Sequence, residues 1–250
     1  MILENFFERQ FELRYSEMDK FGIASPTTML TLIEETAADH CLDINMSLYD
    51  LEKQDTGWVL LSGLVQMDRY PAYKEKITIR TWLSSYSLIK GFRENIIFDE
   101  QRNIIGRAKG IWVFFDINRR KPLPILESIK NKWSYCDELS LEQNILHKID
   151  AIDKAAYITE YHVRRFDTDM NKHVNNIRYL QWVIESVPED FADNYFLHTI
   201  DGRFIGEAQY GDTIVSLTDE GPEKDSFVHA IKIHGSNKVC ATAKTWWKKK

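Results

Sequence analysis

The sequence predicts an α+β fold built twice, two tandem domains that each wrap an antiparallel sheet around one long helix. Three observations carry this reading. Residues 11–35, FELRYSEMDKFGIASPTTMLTLIEE, align with residues 161–185, YHVRRFDTDMNKHVNNIRYLQWVIE, at a constant offset of 150. Arg14 then meets Arg164, Asp19 meets Asp169, Leu30 meets Leu180 and Glu35 meets Glu185. Each copy reads as a short strand, a polar loop and an amphipathic helix, and each is followed by about four strand-like runs.

The helices come first in each half. Pro26 suits the opening turn of the first, and Leu30, Ile33, Ala37 and Cys41 share a face. Asn175 is placed to cap the second, in which Ile177, Leu180, Ile184 and Val187 share a face. The strands follow: GWVLLSGLVQM, KITIRTWLSS, FRENIIFDE and RAKGIWVFFD in the first half, FLHTIDGRFIGEA, DTIVSLTDE, SFVHAIKIHG and KVCATAKTWW in the second. Alternation with β-branched and aromatic residues supports strands. Turn signals such as Gly221-Pro222 and Gly235-Ser236 separate them. The domains are expected at residues 1–148 and 149–250, with the boundary inside a polar, weakly periodic stretch, 130–150.

Composition narrows the function classes. The 250 residues are 44% hydrophobic and 28% charged, enough material for a core. A net charge of −6 argues against an extended nucleic-acid surface, which needs a basic field. No apolar run is long enough for a membrane span or a secretory signal. Cys41, Cys136 and Cys240 are far apart, without the spacing of a zinc site, and neither metal nor cofactor is expected. So sparse and odd a set fits a reducing, cytoplasmic setting.

The richest stretch is DTDMNKHVNNIRYLQW, residues 167–182, with two acids, three asparagines and a histidine before a helix. Such groups commonly form caps and Asx turns. The same set could also polarise a carbonyl and activate water. The first copy holds Asp19 but follows it with Lys20-Phe21-Gly22-Ile23, without the asparagine or histidine. The remaining histidines, His40, His147, His162, His198, His229 and His234, are read as structural.

Residues 169–186, DMNKHVNNIRYLQWVIES, with the blocks DRYPAYKEKITIRTWLSS and RAKGIWVFFDINRRKP, resemble the acyl-acyl-carrier-protein thioesterases, fatty-acyl enzymes of two fused hot dog domains. The resemblance covers nearly the whole chain. It implies hydrolysis of fatty acyl thioesters on acyl carrier protein, ending chain elongation. It implies a catalytic set of Asp169, Asn171, His173 and Glu207, with Asn175, Asn176 and Trp58 near the substrate. The lack of a plastid transit peptide suggests a bacterial member. Two departures stand out. The step from Glu207 to Asp212 is one residue longer than in plant relatives, and Ala208 stands where they carry a cysteine, which excludes a nucleophilic thiol there.

The resemblance also implies an acidic carrier as partner, so positive charge must gather locally. Arg119-Arg120-Lys121, Arg164-Arg165 and the tail Lys248–Lys250 are the candidates. The second half supplies the partner that a hot dog normally needs, so the chain is expected as a monomer, an internal pseudo-dimer, or as a homodimer. The competing readings are an acyl-CoA thioesterase, another hot dog enzyme acting on acyl thioesters, and a non-catalytic acyl-binding protein.

Overall fold

The computed structural model of the protein describes residues 6–146, 148–169, 173–236 and 238–250. Asn171 and His147 lie outside the described residues. The chain divides into two compact units, residues 1–61 with 65–144 and residues 62–64 with 145–250.

The first unit opens with strand β1 (Phe7–Glu12) and the helix α1 (Pro26–Asp43), followed by the short helix α2 (Leu48–Glu52). Four long strands come next: β2 (Thr56–Met67), β3 (Lys76–Tyr86), β4 (Lys90–Phe98) and β5 (Ile104–Asp116). The two-residue β6 (Lys121–Pro122) pairs with β5, and a turn of helix, α3 (Glu127–Lys130), closes the unit. The sheet order is β1-β3-β4-β5-β2.

The second unit repeats the plan. Strand β7 (Tyr157–His162) leads to α4 (Asn176–Glu185) and α5 (Glu189–Asn194). The strands β8 (Tyr195–Phe204), β9 (Thr213–Glu220), β10 (Ser226–Ile233) and β11 (Val239–Lys249) follow, in the order β7-β9-β10-β11-β8. Each is a hot dog, a helix laid on an antiparallel sheet so that both apolar faces are buried at once. Pro188, which has no amide hydrogen to continue α4, begins the next helix, so the 18-residue α1 is matched by a 10-residue α4.

The repeat extends to single hydrogen bonds. Asp19 N–H donates to Ile23 O (2.7 Å) and Asp169 N–H to His173 O (2.9 Å). Ser25 N–H donates to Glu17 O and Asn175 N–H to Asp167 O, both at 3.0 Å. Leu13 N–H donates to Glu75 O and Val163 N–H to Asp212 O. The offset is therefore 150 through the helix and 137 at the loop that follows β2 or β8.

The buried helix faces differ from those expected. On α1 they are Thr28, Met29, Leu30, Leu32, Thr36 and Ala37, with Ile33 and Cys41 only half-buried. On α4 they are Tyr179, Leu180, Trp182 and Val183, while Ile177 and Ile184 stay half-buried. The large rings of Tyr179 and Trp182, packed edge to face at 5.6 Å, take the core positions and turn the helix toward them. Gly202 on β8 permits the approach, since a Cβ there would lie 2.9 Å from Leu180 Cδ2.

Within the stretch 130–150, residues 130–144 form a strap on the first unit. Trp133, Ser140 and Leu141 are buried. Trp82 Nε1–H donates to Glu138 O (3.0 Å), Cys136 N–H donates to Leu83 O (3.0 Å), and Lys109 Nζ donates to Leu141 O.

Candidate active site

The polar loop before α4 holds two kinds of residue. Asp167 and Asn175 serve the fold. Asp167 is buried and accepts from Arg164 N–H at 2.7 Å, closing the 3-10 turn Arg165–Asp167. Asn175 Oδ1 accepts from Ile177 N–H at 2.8 Å and Asn175 O from Arg178 N–H at 2.9 Å, which caps α4. Those two amides are therefore taken up by the cap. Asn176 is the first residue of α4 and half-buried.

Asp169 and His173 are the other kind. Asp169 is exposed and His173 half-buried. His173 Nδ1 lies 3.4 Å from Glu207 Oε2, a residue 34 positions further along the chain. Glu207 stands in the loop after β8, three residues beyond the strand expected to carry it.

Main-chain contacts fix that loop. Ile205 and Gly206 N–H both donate to Cys240 O on β11, at 2.8 and 3.0 Å. The approach is so close that a Cβ on Gly206 would sit 2.7 Å from Val239 O. Ala208 joins the loops: its O accepts from Val174 N–H (3.2 Å), next to His173, and its N–H donates to Tyr179 Oη (2.8 Å). Tyr179 carried no functional signal in the sequence, where it reads only as a core aromatic.

Cys240 lies next to the pair but is wholly buried, and burial pushes its thiol up to about 11. A protonated, enclosed thiol is a poor nucleophile. Among the described residues no group of three or more His, Cys, Asp and Glu is placed to hold a metal ion, and no helix is long and apolar enough to cross a membrane.

The first unit lacks the pair. By its matched hydrogen bonds, Ile23 occupies the place of His173 and Tyr70 that of Glu207. Tyr70 is buried, and burial followed by the charge of Asp19 pushes its hydroxyl above the usual phenol range. Trp58 on β2 is half-buried against Phe114, with ring centroids 5.1 Å apart, and packs on the cluster of Met46, Leu51, Leu83 and Trp133. Arg119 and Arg120 lie in the exposed β5–β6 turn, and Arg119 N–H donates to Asp116 Oδ1 at 2.7 Å. Lys250 in the tail donates through Nζ to Ala192 O and Asp193 O, closing the end of α5.

The chain thus holds two hot dogs, with an imidazole and a carboxylate meeting in the second. Residues 4–133 match the acyl-ACP thioesterase N-terminal domain and residues 150–249 match the C-terminal domain. The chain belongs to the acyl-ACP thioesterase family. The chloroplastic oleoyl-acyl carrier protein thioesterase of Coriandrum sativum is 30% identical over 95% of this chain and 68% of its own length. Oleoyl-acyl carrier protein thioesterase 1 of Arabidopsis thaliana is 24% identical over 98% and 76%. Two solved structures share the fold at a TM-score of 0.88 and 21% identity over 98% of both chains: an acyl-ACP thioesterase from Bacteroides thetaiotaomicron and the 12:0-ACP thioesterase from Umbellularia californica.

Proposed function

We propose that the hydrolysis of fatty acyl thioesters on acyl carrier protein, the activity of the family, is carried in this chain by Glu207, His173 and Asp169 with Asn171. The observation that carries the assignment is the 3.4 Å approach of His173 Nδ1 to Glu207 Oε2. Glu207 takes a proton from water, and the water oxygen attacks the thioester carbonyl carbon. Asn171 and His173 donate to the carbonyl oxygen as it becomes an oxyanion. The tetrahedral intermediate collapses, the C–S bond breaks, and the proton taken from water passes to the departing sulfur. Free fatty acid and the carrier thiol result. Asp169 orients Asn171 or, in the alternative route, attacks the carbonyl itself, the C–S bond breaks as the carrier thiolate leaves and takes a proton, and water then opens the resulting anhydride to free fatty acid and the Asp169 carboxylate.

The domains divide the work. The unit with Ile23 and Tyr70 in place of the pair has no acid–base couple there, and it is assigned to the acyl chain, with Trp58 among the groups lining it. Asn176 is assigned to the substrate at the start of α4, and Arg119 and Arg120 to the acidic carrier. Three free cysteines support a reducing compartment, the cytoplasm.

The test is thiol release from acyl carrier proteins bearing medium to long chains, with matching acyl-CoAs alongside. Wild-type protein should release thiol from the carrier thioesters, and His173→Ala and Glu207→Gln should each lose most of the turnover while keeping the wild-type Tm. Full activity in both variants would remove the pair from the mechanism. Equal KM for carrier substrates in an Arg119→Glu, Arg120→Glu variant would remove the arginines.

A further inference from the structure

We propose that Lys238 is a positioning residue for thioester cleavage: with Tyr179 it fixes the peptide that follows Glu207, and so the direction in which the Glu207 carboxylate leaves the chain. The proposal rests on Glu207 acting as the base of the His173–Glu207 pair.

Lys238 stands in the turn between β10 and β11. Its main chain is held there, since Ile233 N–H donates to Lys238 O and Lys238 N–H to Ser236 Oγ, both at 3.1 Å. The side chain runs back over the Glu207 loop. A Cβ on Gly206 would lie 3.3 Å from Lys238 Cε, and Lys238 Nζ donates to Glu207 O at 2.6 Å.

That carbonyl belongs to the same peptide whose N–H, on Ala208, donates to Tyr179 Oη at 2.8 Å. The peptide is thus gripped at both ends, by an ammonium from the β10–β11 turn and by a hydroxyl from α4. A cation on the oxygen polarises the peptide and strengthens the bond that its N–H makes. On the other side of Glu207, the Ile205 and Gly206 N–H groups are fixed on Cys240 O. The backbone is therefore set both before and after Glu207. Its side chain has only its own rotamers with which to reach His173 Nδ1, 3.4 Å from Oε2.

The repeat supplies an internal control. Asp68 and Arg69 N–H both donate to Ile105 O, as Ile205 and Gly206 N–H do to Cys240 O. Ala24 N–H donates to Pro71 O as Val174 N–H does to Ala208 O, and Asp99 N–H donates to Asn103 O as Ile233 N–H does to Lys238 O. These matches set Tyr70 against Glu207, Pro71 against Ala208 and Asn103 against Lys238, and the helix offset sets Met29 against Tyr179. Pro71 has no amide hydrogen to donate, and Met29 has no hydroxyl to receive one. Asn103 turns its Nδ2 to Asp99 Oδ2, at 3.1 Å, within its own turn. Every member of the grip is thus replaced in the copy where the carboxylate is replaced. A device that served the fold alone would serve both copies.

Lys238 is exposed, and a contact from an exposed lysine adds little to stability, so the effect belongs in kcat and not in Tm. Lys238→Met keeps the stem over Gly206 and removes the donor, and Lys238→Arg keeps a charged donor. Both are made in the full chain, and Lys238→Met also in the Glu207→Gln background. Steady-state kinetics are measured with an acyl carrier protein thioester and with the same acyl group on N-acetylcysteamine. Lys238→Met should lower kcat roughly tenfold on both substrates at unchanged KM, as for a slightly misplaced reacting group. Lys238→Arg should recover most of that loss. In the Glu207→Gln background Lys238→Met should cost nothing further, because the group it positions is gone. A wild-type kcat in Lys238→Met would overturn the proposal. So would an equal loss in the arginine variant, a loss that multiplies with that of Glu207→Gln, or a change confined to the KM for the carrier substrate. Wild-type turnover in Glu207→Gln alone would strike the assignment of the pair, and this proposal with it, whatever Lys238 does.

Discussion

The hydroxyl of Tyr179 accepts the amide of Ala208 at 2.8 Å, and through that one residue helix α4 holds both halves of the candidate site. Ala208 follows Glu207 in the chain, and its carbonyl accepts from Val174, the neighbour of His173. Tyr179→Phe removes the acceptor and leaves a buried amide unpaired, at a cost of about 1–3 kcal/mol. The geometry of the pair should loosen with it. The expected outcome is a kcat reduced about tenfold or more with little change in KM, since small misplacements of reacting groups are costly. A kcat at the wild-type value, with the expected drop in Tm, would show that Tyr179 supports the fold and not the pair.

Cys240 is the cysteine nearest the pair, and it holds the Glu207 loop with its main chain. The acceptor for Ile205 and Gly206 is the carbonyl oxygen of Cys240, which any residue supplies. Cys240→Ala should therefore keep most of the turnover. With the thiol pushed up to about 11, its thiolate is scarce at pH 8. Iodoacetamide should label Cys240 in the folded protein roughly a hundredfold more slowly than a cysteine in a free peptide. Mass spectrometry of the alkylated chain against time measures this, and fast labelling coupled to loss of activity would return the thiol to the mechanism.

What could be read from the residues alone was the part governed by short-range pattern. Alternating β-branched and aromatic runs place the long strands, and the offset of 150 pairs Asp19 with Asp169. The match of Tyr70 to Glu207 was hidden because the offset changes to 137 between the helix and the next loop. Glu207 was reached through the family resemblance, and it stands beyond β8 because its loop is pinned to Cys240, a contact made from a distant strand. The strap over β3 to β5 looked soft for a similar reason. Trp133, Ser140 and Leu141 have no period, and each finds its partner far off in the chain. Of the expected helix faces Leu30, Ala37, Leu180 and Val187 are buried, while on α4 Tyr179 and Trp182, whose rings bury more area, take the core positions that Ile177 and Ile184 were expected to hold.

Acid sensitivity follows from His229. It is wholly buried between Thr218 Oγ1, 2.8 Å from Nδ1, and Thr245 Oγ1, 2.9 Å from Nε2. Burial drives its pKa from 6.5 down to about 3. The unfolded chain takes up a proton at this residue as pH falls through 6.5, whereas the folded chain does not until about 3. Stability is therefore fully present above 6.5 and declines as pH falls through that window, by up to about 1.4 kcal/mol per pH unit from this group. His229→Gln keeps hydrogen-bonding groups toward both threonines and does not titrate. Urea unfolding at pH 7, 6, 5 and 4 should give a shallower fall in stability for the variant. Parallel curves would mean that His229 is protonated inside the fold.

The strap offers the last test, at the buried carboxylate of Glu94 on β4. Glu94 is 3% exposed, and its Oε2 accepts from Ser140 N–H at 3.0 Å and from Ser140 Oγ at 2.5 Å. The Ser84 hydroxyl donates to Oε1 at 3.3 Å. A carboxylate so enclosed is held by its donors, and removing one leaves part of its desolvation uncompensated. Ser140→Ala deletes the short hydroxyl contact and keeps the main-chain one, at a cost of about 1–3 kcal/mol. The double variant Glu94→Gln, Ser140→Ala has a neutral side chain in place of the charge, so it should be less destabilised than the sum of the two single changes. Tm and urea unfolding of the four proteins complete the cycle. An additive result would show that the strap is held to the sheet by Trp133, Leu141 and its main-chain bonds, without coupling to the Glu94 charge.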